Sequence, residues 1–423
     1  MLQTTYIREH RDLILERYKK RNFDGEEIIN QIIKLDDDRK STQQALDAQL
    51  AEGNKLAKEI GQLFKEGKQQ EAIAAKEQTK TLKESGVLLK EEQNKIAEEL
   101  KGLLYQLPNV PNEIVPPGKS EDDNETIFEE GDIPVLHENA IPHWELAKKY
   151  NLIDFELGVK ITGAGFPIYR GKGARLQRAL INFFLDQATE NGYEEVIPPL
   201  MVNEASAYGT GQLPDKEGQM YYMPEDNLYM IPTAEVPITN IYRDVILKEN
   251  DFPIKNTGYT PCFRREAGSY GSDVRGLNRL HQFDKVEIIQ IQHPDKSYET
   301  LDNMVEHVKG LLNKLELPYR VLKLCGGDLG FTAALTFDLE VYSTAQEKWL
   351  EVSSVSNFET FQANRLKCRY KDTGGKMQLV HTLNGSALAL PRIMAALLEN
   401  NQTEAGIKIP KALVAYTGFD IIN

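Results

Sequence analysis

Cys262-Phe263-Arg264-Arg265-Glu266 leads into a loop holding Gly268, Gly271, Arg275 and Gly276, and the chain re-emerges as Arg279-Leu280-His281-Gln282-Phe283-Asp284-Lys285-Val286-Glu287-Ile288-Ile289-Gln290. Apolar residues enter the loop and an alternating run leaves it, which predicts two antiparallel strands with a long loop between them. Arginines stand at both mouths, Arg264 on the first strand and Arg279 on the approach to the second. Planar, permanently charged guanidinium groups so placed can grip a polyphosphate bidentately. Taken alone, the same arginines also suit a solvated hairpin.

The chain has 423 residues, enough for two or three domains and a large core. Its net charge of −14 argues against blanket attraction to nucleic acid, while leaving room for a local basic footprint. Cys262, Cys325 and Cys368 lie far apart with no Cys-x-x-Cys pair, so neither a disulfide framework nor a thiolate zinc site is indicated. The amino-terminal residues lack the apolar core of a signal peptide. No later run approaches the roughly eighteen apolar residues of a membrane span, so we expect a soluble, cytoplasmic protein with no membrane partner.

Residues 1 to 25 predict a small amphipathic helix with Leu13, Ile14 and Tyr18 on one face. From Glu27 to Leu104 the composition shifts to Ala, Leu, Lys, Glu and Gln. Leu46, Leu50, Gly53, Ala57, Ile60 and Phe64 recur at alternating steps of four and three, and after Glu66-Gly67-Lys68 a second run takes up Leu82, Ser85, Leu89, Glu92, Ile96, Leu100 and Leu103. That is the pattern of an antiparallel coiled-coil hairpin, each helix of about 35 residues reaching roughly 50 Å. Its charges nearly balance, residues 34 to 101 holding 13 Lys and Arg against 14 Asp and Glu. Prolines 108, 111, 116 and 117 then break the helix ahead of the acidic run Glu121-Asp122-Asp123. These shifts divide the chain into a helical domain at 1–104, a linker at 105–125 and a second domain at 126–423. In the last, helix and strand patterns mix as in an α+β domain on an antiparallel sheet. Gly173 to Leu185 reads as a helix, followed by a strand ending at Pro198-Pro199, and Tyr208 to Pro214 as an active-site flap.

Phe-Arg-x-Glu, a glycine loop, then Arg-x-His-Gln-Phe-x-Lys-Val-Glu resembles the second signature motif of class II aminoacyl-tRNA synthetases, in the wording of the seryl-tRNA synthetase family, bacterial type. His381 to Arg392 (HTLNGSALALPR) is similar to the third motif, Ile231 to Pro237 (IPTAEVP) to the serine-binding loop, and Gly173 to Pro199 to the first motif, a dimer interface. The resemblance covers nearly the whole chain. It implies a homodimeric ligase that activates L-serine with ATP and Mg²⁺ and transfers it to tRNA(Ser), with tRNA(Sec) as a further candidate acceptor. It also turns the hairpin from a dimerisation device into a tRNA-binding arm, which would read RNA by shape and backbone.

Carried over residue by residue, the resemblance makes Arg264 and Arg392 the catalytic residues. Arg264 grips the α-phosphate and the serine carboxylate, while Glu266 reads the adenine edge. Leu280 lines the nucleotide pocket, Phe283 stacks on adenine, and Arg392 covers its other face. Arg265, Arg279 and the strand Glu351-Val352-Ser353-Ser354 complete the ATP contacts, with Glu351 and Ser354 as Mg²⁺ ligands. Thr233 and Glu235 take serine's ammonium group with Ala234 between them in the serine-binding set, Glu287 and Ser386 take its hydroxyl, and Asn384 shapes that pocket. The chain departs from the family pattern at Arg265, Val355, Thr360 and Asn364. Two rival functions remain at this stage: an enzyme that loads the activated amino acid onto a carrier protein, and a coiled-coil scaffold with an inactive synthetase-like domain.

Overall fold

The computed structural model describes residues 1–215, 218–266 and 275–423. Its packing separates Met1–Tyr18 with Phe23–Pro108 from Lys19–Asn22 with Asn109–Asn423.

The first unit begins with two short helices, α1 (Thr4–Glu9) and α2 (Arg11–Tyr18), in place of the one expected. Ile14 and Tyr18 are buried, but Leu13 faces outward. Two long helices follow, α3 (Glu26–Lys65) and α4 (Gln69–Leu104), joined at Gly67, whose φ of 77° a side chain would resist. They form the antiparallel hairpin, with a different seam phase from the one expected. Along α3 the inward positions are Thr42, Leu46, Gln49, Gly53, Leu56, Ile60 and Leu63, whereas Leu50 and Phe64 are 59% and 52% exposed. On α4 Gln93 replaces Glu92 in the seam, which carries polar contacts from Gln93 to Gln43 and from Gln49 to Ser85. At the base, Ile29 and Ile32 are buried, and each such side chain contributes roughly 1.5–3 kcal/mol. Asp36 is buried there too. Burial alone would raise its pKa, but bonds from Lys40, Arg39 and Arg8 win and hold it at about 2.

The proline-rich stretch expected as a linker from 105 is in fact tied down from Asn109 onward. Asn109 donates from its side chain to the carbonyls of Thr332 and Phe358, at 2.9 and 2.8 Å, and Val110 and Val115 are buried. Backbone groups with fixed partners and buried valines make the segment from Asn109 onward part of the second unit.

That unit is built on an eight-stranded sheet whose strands are, in chain order, β1 (Glu125–Glu130), β2 (Glu194–Glu195), β3 (Ile254–Phe263), β4 (Gln282–Gln292), β5 (Tyr319–Lys323), β6 (Leu335–Ser343), β7 (Lys348–Asn357) and β8 (His381–Ala389). Their spatial order is β1-β5-β6-β7-β8-β4-β3-β2, antiparallel throughout except that β2 joins β3 in parallel. The alternation of β4 sorts its side chains. Val286 and Ile288 enter the main core with Leu176 and Leu180 of α5 (Gly171–Glu190), Leu301 and Met304 of α6 (Ser297–Lys314), and Ile393 and Met394 of α7 (Leu390–Asn400). Lys285, Glu287 and Ile289 therefore face the opposite side, where Ile289 packs on Ala234 and Ile238. The α+β expectation with an antiparallel sheet and flanking helices holds. Among the described residues, no helix is long and apolar enough to cross a membrane.

Candidate active site

Strand register gathers the polar side chains on one face of the sheet. Glu287 pairs with Ser386 across β4 and β8, and Ser356 pairs with Asn384 across β7 and β8, so all four share a face. Ser354 lies two residues before Ser356 on that same face. Glu351 precedes Ser354 by three, a spacing that would turn it away in a regular strand. A bulge at Val352, between the pairs Leu339–Ser353 and Glu340–Glu351, restores it to the face of Ser354.

Above this face opens a cavity of about 550 Å³. It is bordered by Thr233, Glu235, Arg264, Glu266, Arg279, Leu280, Phe283, Glu287, Glu351, Val352, Ser353, Ser354, Asn384, Ser386 and Arg392. Two expected residues stand outside it. Ala234 is buried against Ile238 and Ile289, and Arg265 turns its guanidinium over Tyr221, 5.9 Å from the ring centre. Gly268 and Gly271 of the expected loop lie outside the described residues.

One end of the cavity is cationic. The Arg264 guanidinium lies 5.1 Å from the Phe283 ring centre, and its Nε donates to the Pro232 carbonyl at 3.3 Å. Arg279 pairs with Glu266 at 2.8 Å. Arg392 donates to the Glu351 carbonyl at 2.7 Å and, through Nε, to that of Asn278 at 3.2 Å. Planar donors held this way are set for a ligand with several anionic oxygens.

The other end is lined by buried carboxylates. Glu287 is fully buried, with Oε1 accepting from Asn384 at 2.9 Å and Oε2 paired with Lys285 at 2.7 Å. Glu235 is also buried. Burial first, and then the charge of Glu287, pushes its carboxyl up to about 7, against a hydrogen bond from Gln362 and the charges of Lys285 and Arg264. Lys285 and Gln362 were not among the expected site residues. The i, i+2 spacing of Lys285 and Glu287 in a strand was a signal in the sequence for the first. Nothing local pointed to the second.

The segment expected as a flap is firmly held. Tyr208 to Thr210 end a helix begun at Glu204, and Gly211 closes it with a φ of 95°. Arg365 donates to the Tyr208 and Leu213 carbonyls at 3.1 and 3.0 Å, and only Gln212 of this segment reaches the cavity.

Comparison with known proteins agrees with this geometry. The model of the seryl-tRNA synthetase N-terminal domain matches residues 1–111, and that of the tRNA synthetase class II core domain (G, H, P, S and T) matches residues 221–401. The serine--tRNA ligase of Salinibacter ruber is 52% identical over 421 residues, covering 99% of this chain and 98% of its own. That of Chlorobaculum parvum is 46% identical over the full length of both. A crystal structure of seryl-tRNA synthetase from Pyrococcus horikoshii complexed with ATP superposes with a TM-score of 0.92 at 34% identity, covering 100% of this chain and 99% of that one. A fold, a polar cavity and full-length relatives thus agree, and the chain belongs to the seryl-tRNA synthetase family of class II aminoacyl-tRNA synthetases.

Proposed function

We propose that this chain activates L-serine with ATP to seryl-adenylate and transfers the seryl group to the 3′ end of tRNA(Ser). The observation that carries the reading is a single cavity joining an arginine-lined end to a buried carboxylate end. The serine carboxylate, ionised near neutral pH, attacks the α-phosphorus of ATP and expels pyrophosphate, so no general base is needed. Catalysis then consists of bringing two anions together and stabilising the charge that builds on phosphate oxygens. Arg264 bridges the serine carboxylate and the α-phosphate, while Arg392 and Arg279 take the remaining phosphates. Phe283, Leu280 and Glu266 receive the adenine. Thr233 and Glu235 bind the ammonium group, and Glu287 and Ser386 bind the hydroxyl.

Mg²⁺ fits the residues present. Glu351 and Ser354 share a face, and opposite Ser354 on β6 the half-buried Asp338 has one buried oxygen with no hydrogen-bond partner among the described residues. Burial, followed by the charge of Glu351, holds the Asp338 carboxyl above its usual range, an environment that a hard cation would relieve. When bound, the ion would offset negative charge on the phosphates. Glu351 and Ser354 would hold it.

ATP–pyrophosphate exchange measured against a panel of amino acids tests the reading. Serine should drive exchange well above alanine, glycine and threonine, and equal exchange with alanine would defeat it. The carrier-loading and scaffold alternatives find no support, since the relatives match across both the arm and the catalytic unit.

A homodimer and a cytoplasmic setting belong to the same proposal. Ile197, Leu200 and Met201 expose apolar surface just beyond the first-motif strand, which a second copy would cover. The three cysteines are buried free thiols, as suits a reducing compartment. Sedimentation should give twice the 47.9 kDa chain mass. A fully active monomer would contradict the dimer.

A further inference from the structure

Gln362 sits on the helix Thr360–Leu366 and is buried behind the cavity wall, where it does not reach the cavity itself. Its amide is fully engaged. Nε2 donates to Glu235 Oε1 at 2.7 Å and to the Thr210 carbonyl at 3.1 Å, while Oε1 accepts from the Thr382 hydroxyl at 2.7 Å. Only one amide orientation satisfies this set, because a carboxylate and a carbonyl can only accept, so the nitrogen must face both. Thr382 belongs to β8, four residues before Ser386 and on the same face. One turn along the helix, Arg365 clamps the carbonyls of Tyr208 and Leu213. A single buried side chain therefore links the carboxylate of the serine pocket, the segment beside it and the strand that carries Ser386.

We propose that Gln362, acting through Glu235, positions the ammonium group of serine without touching the substrate. The proposal rests on the serine-site reading above. With Oε1 held by the amide, Glu235 keeps one orientation and turns the rest of its carboxylate to the cavity. The charged groups facing Glu235 are Glu287 and Lys285 from β4 and Arg264 from the end of β3, and Gln362 adds its hydrogen bond from the helix. Glu235 is raised to about 7, so it is ionised above that pH and protonated below it. The Gln362 bond favours the ionised form. Losing it should therefore shift the acid limb of serine binding to higher pH.

The test uses the full-length enzyme with Gln362→Met, which keeps the side chain's length and removes its donors. In ATP–pyrophosphate exchange, KM for serine should rise about ten- to hundredfold, the usual effect of losing a hydrogen bond to a buried charge, with KM for ATP unchanged. The acid limb of kcat/KM for serine should move upward in pH. Two competitive inhibitors separate positioning from general damage. Serinamide keeps the ammonium group and should weaken in parallel with serine, whereas 3-hydroxypropionate lacks it and should bind as to the wild type. Thr382→Val, which removes only the hydroxyl that fixes the amide, should shift serine in the same sense by less, and it carries the test if the Met variant does not fold. An unmoved KM for serine, an unmoved acid limb, or equal weakening of both inhibitors would overturn the role of Gln362 alone. Absence of serine-dependent exchange in the wild type would remove the serine-site reading and this inference with it.

Discussion

Glu287→Ala should raise the KM for serine and reduce the preference for serine over alanine from about 10⁴-fold to within about tenfold, because a site built to hydrogen-bond a substrate hydroxyl rejects the analogue lacking it by that larger margin. The rejection arises from the enzyme side. Glu287 is fully buried, its two oxygens already hold Asn384 and Lys285, and its remaining capacity faces the cavity beside Ser386. Alanine leaves that capacity unmet on a buried carboxylate. With the carboxylate gone, alanine no longer meets a penalty and serine no longer gains a partner. The substitution also leaves Lys285 buried without its counter-ion, which costs stability of about 3–5 kcal/mol. Glu287→Gln, which keeps a carbonyl acceptor, should fall between the two in selectivity. The measurement is kcat/KM in ATP–pyrophosphate exchange for both amino acids, with a thermal melt to follow the fold. Wild-type selectivity in Glu287→Ala would show that the hydroxyl is read elsewhere.

Removing the outer arm should abolish most tRNA charging while serine-dependent exchange continues. The structure dictates where to cut. A deletion from residue 30 to 101 would remove Ile32, Asp36, Ile96 and Leu100, which are buried at the base of the hairpin. Gln43 and Gln93 touch across the seam, so replacing residues 44–92 with a short Gly-Ser turn keeps that base intact. The hairpin seam is closed mainly between α3 and α4, and every proposed ATP and serine ligand lies at Thr233 or later, so the catalytic unit should keep its chemistry. A chain of net charge −14 has little general attraction for RNA, so on the proposed function the shape and phosphate contacts would come from the arm. Losing several such contacts should lower charging by about 10³-fold or more at moderate salt and flatten its salt dependence. A truncated enzyme that charges tRNA at the full rate with the same salt dependence would assign the hairpin another role.

Much of the architecture was legible in the residues. The hairpin, its turn at Glu66 to Lys68, the antiparallel pair around the arginine loop and most of the cavity wall followed from periodicity, glycine and proline placement, and motif resemblance. The coiled-coil phase was not. From Leu46, steps of three and of four both stay on one helix face, and both continuations carry apolar residues: Leu50, Ala57 and Phe64 on one, Leu56 and Leu63 on the other. Only the partner helix, with its own small and apolar residues opposite, breaks the tie. The anchoring of the proline-rich stretch was hidden for a related reason, since proline content does not reveal that carbonyls far along the chain await Asn109.

The sequence by itself determined which side chains are available for the chemistry, because residue type and close spacing are local properties: two arginines flanking a loop, a carboxylate on the strand beyond it, and a Glu-x-x-Ser run. Only the tertiary structure decided which of them meet. Glu351 and Ser354 would face opposite ways in a regular strand, and the bulge at Val352, created by pairing with β6, turns them together. Ala234 and Arg265 sit between residues of the cavity wall yet point out of it, Ala234 because it stands in the turn that enters the helix at Glu235 and packs on Ile238 and Ile289, and Arg265 because its guanidinium lies over Tyr221. Gln362 reaches Glu235 from 127 residues away. Such contacts depend on the register of strands and the docking of helices, which are set by burial summed over the whole core and are written in no single stretch of the chain.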